Sequence, residues 1–292
     1  MSQDNKSYFL PGPSFWPLIA SISLFLLAGG FAVVLSKMPT GDSAATFSAA
    51  LKAAPMGGLF MGAGALFLAY LLFGWFKEVI GESVSKYYNK QVDISFRWGM
   101  GWFIFSEVMF FFGFFGALFY ARNVSVPWLA EAKLLWPNFT GGWPTSGPGL
   151  TEAFTAMAPW GLPAINTLLL LTSGATLTWA HWGLMKDKRT QVKIGLALTI
   201  LLGIVFLYLQ MHEYAEAGFT IKHGIYGATF YMLTGFHGLH VTMGTIMLAI
   251  ILYRVMKGHF NSHDHFGFEA VAWYWHFVDV VWLFLFIFVY WL

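Results

Sequence analysis

The feature that most constrains this sequence is a series of long apolar segments with almost no charged residues. A helix needs about 20 mostly apolar residues to cross a membrane. Seven segments of the 292-residue chain reach or approach that length. They are 15–36, 56–76, 98–121, 160–185, 194–210, 226–253 and 270–292. The predicted fold class is an all-α polytopic membrane protein with seven transmembrane helices. The pairs Gly58/Gly62 and Gly113/Gly116 are predicted to allow close helix approach.

Composition excludes several functions. Only 10% of residues are charged, against roughly 25% in soluble domains, so no part of the chain is predicted to be a soluble domain. The net charge of +2 is spread over short loops and does not indicate a nucleic-acid partner. The chain has no cysteine. This excludes disulfides, iron–sulfur clusters, c-type haem attachment and thiolate-ligated copper or zinc.

The distribution of Lys and Arg predicts the orientation, because cytoplasmic loops carry an excess of both. One side of the predicted membrane holds eleven of them: Lys6, Lys77, Lys86, Lys90, Arg97, Lys186, Lys188, Arg189, Lys193, Arg254 and Lys257. The other side holds five: Lys37, Lys52, Arg122, Lys133 and Lys222. The N-terminus is therefore predicted to be cytoplasmic and the C-terminus to lie outside.

Glu107 is the one ionisable residue in the predicted span 98–121. Carboxylates at membrane depth are costly and raise a functional hypothesis. One interpretation is a proton relay or another carboxylate site. The other is a protonated glutamic acid that bonds to a neighbouring helix, and this interpretation is favoured.

Histidines three residues from a second polar group share one helix face. His237 pairs with His240 in this way, and His276 pairs with Asp279. Helix–helix hydrogen bonding is favoured over a metal site for both pairs, and no metal ligand set is predicted. Interfacial anchoring is predicted for other residues in loops or near helix ends: His181, His212, Glu213, His259, His263 and His265.

The end of the second predicted span combines Trp75 with mixed charges that include Glu82. Such a group suits contact with a zwitterionic lipid headgroup. A solvated helix end is an equally weighted alternative.

Several motifs carry a resemblance to a known family. They are PxPxxWP at 11–17, IFSEV at 104–108, TWAH at 178–181, GFHGLHV at 235–241, HFGFEA at 265–270 and AWYWHFVDVVWLF at 272–284. Together they cover nearly the whole chain in order, and the last is long enough to be very specific. The sequence resembles the cytochrome c oxidase subunit III family.

The resemblance implies a non-catalytic subunit of a proton-pumping aa3-type oxidase in a bacterial inner membrane. Haem a, haem a3 and copper would lie in partner subunits, with subunit I as the main contact, subunit II nearby and cytochrome c as substrate of the complex. The expected roles are to stabilise the catalytic subunit, to hold phospholipids near the oxygen path and to support proton uptake.

The resemblance also implies an architecture and site residues. Residues 1–90 would form a two-helix arm, and 91–292 a five-helix bundle with a long outer loop at 122–159. Helices 1–2 and 3–7 would enclose a V-shaped lipid-holding cleft. The residues that match the family's lipid contacts are Trp75, Glu82, His240, Arg254 and Lys257. Glu107 matches a buried carboxylate that reacts with hydrophobic carbodiimides in the family.

Two alternatives remain open from the residues. One is a stand-alone proton-coupled transporter that uses Glu107, His276 and Asp279. The other is a related partner subunit of a quinol or nitric oxide reductase.

Overall fold

The computed structural model describes residues 8–38, 47–150 and 155–292, which contain nine α-helices and no β-strand. The helices are α1 (Trp16–Ser36), α2 (Phe47–Ala53), α3 (Pro55–Val84), α4 (Lys90–Tyr120), α5 (Val126–Glu131), α6 (Leu162–Met185), α7 (Arg189–Glu216), α8 (Gly224–Met256) and α9 (Phe266–Leu285). Two π-helical turns continue α4 and α9, at Ala121–Ser125 and Phe286–Trp291.

Seven of these helices match the predicted spans in order: α1, α3, α4, α6, α7, α8 and α9. Six of the seven, all except α6, are long and apolar enough to cross a membrane. An all-helical polytopic membrane protein is therefore confirmed. The count of seven spans stays a prediction, because polar residues such as Asn166 and Ser173 interrupt the apolar sequence of α6.

Several helices continue beyond the apolar segments that predicted them. For example, α3 continues past residue 76 to Val84, and α4 begins at Lys90 rather than near residue 98. Hydropathy detects only the part of a helix that faces lipid. The backbone hydrogen bonds continue through Lys, Glu and Asp until another signal ends the helix.

The predicted outer loop 122–159 is partly helical. The π-helical turn and α5 occupy its first residues, so non-helical chain begins at Ala132. Pro127 lies in the first turn of α5. Residues 151–154 of this loop lie outside the described part of the chain.

The chain divides into two compact units, Met1–Ser95 and Phe96–Leu292. In the first unit, α1 and α3 approach closely at glycines. A Cβ on Gly30 would lie 2.7 Å from the Gly57 carbonyl oxygen, and the Ser23 hydroxyl donates to the Gly64 carbonyl at 2.9 Å. The predicted close approach is found at Gly58, where a Cβ would lie 2.8 Å from the Leu51 side chain of α2, but not at Gly62, where a Cβ would meet no atom within 4 Å. The same is true of Gly113 and Gly116. The division into arm and bundle stays a prediction.

In the second unit, α9 lies against α6, α7 and α8. Trp275 of α9 is fully buried and donates its indole N–H to Ser173 of α6 at 2.9 Å. Its ring lies against Gly203 of α7 and Gly244 of α8, where an added Cβ would approach ring carbons to 2.7 and 2.8 Å. Small residues on three helices therefore form the space that one indole fills.

Candidate functional site

Glu107 of α4 and His240 of α8 face each other inside the bundle. The His240 Nε2 atom lies 2.9 Å from Glu107 Oε2, and both side chains are largely buried. His240 Nδ1 lies 2.6 Å from the Phe236 carbonyl oxygen. Because a carbonyl only accepts, Nδ1 carries a proton. Nε2 then either accepts from a protonated Glu107 or donates to its carboxylate, so the two groups share one proton.

The pair joins α4 to α8, and a double-mutant cycle measures the coupling free energy between the two side chains. We expect Glu107→Ala and His240→Ala to be non-additive, with a coupling of about 0.5–3 kcal/mol, because each single change removes the same contact. Denaturant unfolding of the purified complex supplies the free energies. As a control, Glu107→Ala combined with His212→Ala should be additive, since His212 instead pairs with Glu216, at 3.5 Å. Additivity in both cycles would contradict the contact.

The two predicted intramembrane pairs differ: His237 and His240 turn to different partners, whereas His276 and Asp279 stay together. His237 is buried and donates from Nε2 to the Val278 carbonyl at 3.1 Å, whereas His240 turns to Glu107. His276 Nδ1 lies 3.7 Å from Asp279 Oδ2, and the His276 Nε2 atom is 3.4 Å from the Thr178 hydroxyl of α6. These side chains therefore connect α9 to α6 and α8.

Arg254 lies at the end of α8 and is only 8% exposed. Its guanidinium lies 4.3 Å from the centre of the Phe260 ring, and its Nε has no hydrogen-bond partner. Within the described chain, no carboxylate pairs with it. Lys257 is exposed beside Tyr253. Burial and the positive charges of Arg254 and Lys257 lower the pKa of His259 below its ordinary value.

Trp75 and Glu82 lie at the end of α3 in the first unit. Trp75 is half-exposed and stacks on Phe76 at 5.7 Å. Glu82 accepts a hydrogen bond from the Tyr88 hydroxyl at 2.6 Å. Burial first, and then the Glu82 carboxylate, raise the pKa of Tyr88 above its ordinary value. Glu82 therefore already has a partner within the chain.

Two polar clusters in the structure were not predicted from the sequence. Glu213 of α7 is 1% exposed and lies beside Gln210 and Tyr290. Its predicted role as an interfacial anchor is therefore wrong. The second cluster joins His181, His265 and Glu269 with Arg97. The spacing of His265 and Glu269, four residues apart at the start of α9, was a signal for part of it.

The described fold and side chains define a polytopic helical membrane protein in which intramembrane polar groups join neighbouring helices. A family model described as cytochrome c oxidase subunit III matches residues 6–292. The chain therefore belongs to the cytochrome c oxidase subunit III family.

Relatives named cytochrome c oxidase subunit 3 match along the full length. The protein of Prototheca wickerhamii is 41% identical over 284 residues, which cover 97% of this chain and 96% of the relative. The protein of Cyprinus carpio is 40% identical over 292 residues, covering 100% of this chain and 99% of the relative. That of Oncorhynchus mykiss is 41% identical over 297 residues, again covering 100% and 99%.

These matches confirm the prediction of a non-catalytic subunit of cytochrome c oxidase. They favour it over a stand-alone transporter and over a partner of a quinol or nitric oxide reductase. Membership also implies that the chain works in a complex with other oxidase subunits.

Proposed function

We propose that the chain holds phospholipids beside the catalytic subunit of an aa3-type oxidase, stabilises that subunit and supports proton uptake. Subunit I is the main contact and subunit II a second one, and these partners carry haem a, haem a3 and copper. Cytochrome c is the substrate of the complex. Two observations support the proposal: the family membership, and the burial of the Arg254 cation without a carboxylate partner in the described chain.

Arg254 is the observation that carries the lipid proposal. A buried charge is costly unless an opposite charge or several hydrogen bonds compensate it. Arg254 is 8% exposed, and no described carboxylate pairs with it. An anion from outside the chain completes such a site, and a lipid phosphate at the membrane interface has the right charge and depth. Lys257, three residues further on, adds a second cation that can reach the same headgroup.

The other predicted lipid contacts differ in whether the side chain already has a partner within the chain. Trp75 is half-exposed and suits a headgroup contact. His240 and Glu82 are held by Glu107 and Tyr88, so we propose that they shape the lipid site through these neighbours. The arrangement of helices 1–2 and 3–7 as the two sides of a V-shaped cleft is proposed on the resemblance alone.

We test the lipid site with Arg254→Gln in the purified complex. The variant is expected to retain less phospholipid, by one molecule per complex, and to inactivate faster during turnover, because the phosphate loses its buried counter-charge. Phosphorus analysis against haem iron and activity traces measure the two effects. Lys186→Gln is the control, since it removes an exposed positive charge at the same end of the bundle. Unchanged lipid content in Arg254→Gln would reject the site.

The proposal includes seven spans and an orientation. The seventh span is α6, whose polar residues lie largely on the face buried in the bundle, for example Asn166 and Ser173. Lipid then meets mainly the apolar residues of α6. The N-terminus is proposed to be cytoplasmic in a bacterial inner membrane and the C-terminus periplasmic, with support for the orientation from the excess of Lys and Arg on one side.

A further inference from the structure

Three potential metal ligands converge where α6 ends and α9 begins. His181 comes from the last turn of α6, His265 precedes the first residue of α9, and Glu269 lies in the first turn of α9. One nitrogen from each imidazole and one carboxylate oxygen lie within 4.8 Å of one another.

The distances within this cluster suit shared coordination better than direct hydrogen bonds. Glu269 Oε1 lies 3.4 Å from His265 Nε2 and 3.8 Å from His181 Nε2. Hydrogen bonds of this kind usually measure about 2.7–3.2 Å. Ligand atoms about 2.0–2.1 Å from a tetrahedral zinc ion lie roughly 3.3–3.4 Å from each other. Small side-chain movements therefore bring the three atoms to one ion.

The surrounding residues orient the ligands as they do around bound metals. His265 Nδ1 lies 3.1 Å from the Asn261 carbonyl oxygen, which fixes the proton on Nδ1 and leaves the Nε2 lone pair toward Glu269. Arg97 contacts the other carboxylate oxygen, Oε2, at 2.5 Å. His181 Nε2 is buried and has no hydrogen-bond partner. The charge of Arg97 opposes a cation, but Arg97 contacts Oε2, whereas the two imidazoles lie near Oε1.

We infer that His181, His265 and Glu269 form a binding site for one zinc ion that ties the end of α6 to the start of α9. Two imidazoles and one carboxylate are a ligand set that zinc accepts, with a fourth position left for water. Calcium and magnesium prefer sites made of oxygen ligands alone.

The test uses the whole oxidase complex, stripped with a chelator and then equilibrated with zinc alone. His181→Gln and His265→Gln are each expected to lower the bound zinc by one ion per complex, with affinity reduced at least about tenfold. Zinc is counted by elemental analysis against haem iron. His263→Gln is the matched control, because His263 is exposed in the same loop and should keep full zinc content.

Zinc-edge X-ray absorption on the unmodified complex supplies a second measurement. The spectrum is expected to show imidazole nitrogens about 2.0–2.1 Å from the ion, and the difference from His265→Gln should remove one of them. Equal zinc content in all variants would overturn the inference and leave only an ion pair between Arg97 and Glu269. Failure of the unmodified complex to bind zinc through imidazole would overturn it even if the variants do not assemble.

Discussion

Replacing Trp275 by alanine is expected to destabilise the helix bundle by about 3–5 kcal/mol. Trp275 is fully buried at the point where α9 meets three other helices. Lipid tails are as apolar as the bundle core, so the loss comes chiefly from packing contacts rather than from transfer out of water. Denaturant unfolding of the purified complex in detergent measures the effect.

The size of the effect follows from the rigidity of the walls around the indole. Gly203 and Gly244 have no side chain that could move into the space left by the ring, and Ser173 loses the donor that it accepts from at 2.9 Å. The cavity therefore stays largely open, which is the condition under which large-to-small changes are most costly.

Two variants separate packing from hydrogen bonding at this position. Trp275→Phe should cost less than Trp275→Ala, because phenylalanine keeps much of the volume. The cost that remains includes the lost hydrogen bond to Ser173. Trp273→Ala serves as the matched control on the same helix, since Trp273 is 37% exposed. If Trp273→Ala were as damaging as Trp275→Ala, the contact of three helices around Trp275 would not be the source of the stability.

The sequence was sufficient to predict the helices and the family. Apolar length predicts spans because only helices of that length satisfy the backbone within lipid. The motifs at 235–241 and 272–284 indicate the family without any geometry. Helix ends were predicted less well, since polar residues such as Lys90 continue a helix beyond the part that hydropathy can detect.

Partners on different helices were the part that the sequence could not supply. Spacing within one helix correctly places His237 and His240 near one face, yet His240 pairs with Glu107, which is 133 residues away in the chain. That contact depends on how α4 and α8 are rotated about their axes. For the same reason, the sequence did not predict the approach of His181 to Glu269 or the burial of Glu213. A position near a helix end does not reveal which side of the helix packs inward.

The second large effect is expected for Gly224→Ala, at the first residue of α8. We expect a loss of about 2–5 kcal/mol, from about 1–2 kcal/mol for a side chain in left-handed backbone and about 1–3 kcal/mol for overpacking. Gly224 has a φ of +62°, and a Cβ there would lie only 1.8 Å from the Ser146 carbonyl oxygen. The obstacle is backbone, so no rotamer change can relieve it.

The Ser146 backbone cannot easily move away from α8, because neighbouring residues hold the loop against this helix. The Tyr226 amide donates to the Thr145 carbonyl at 3.3 Å, and the Trp143 and Tyr226 rings meet edge to face at 5.7 Å. Insertion of a methyl group at Gly224 must therefore displace this part of the loop from the helix.

Proteolysis near residues 143–147 should become faster in Gly224→Ala, together with a lower unfolding midpoint. Gly218→Ala is the control, since a Cβ there would meet no atom within 4 Å. Equal behaviour of the two variants would show that the loop does not depend on close contact with α8.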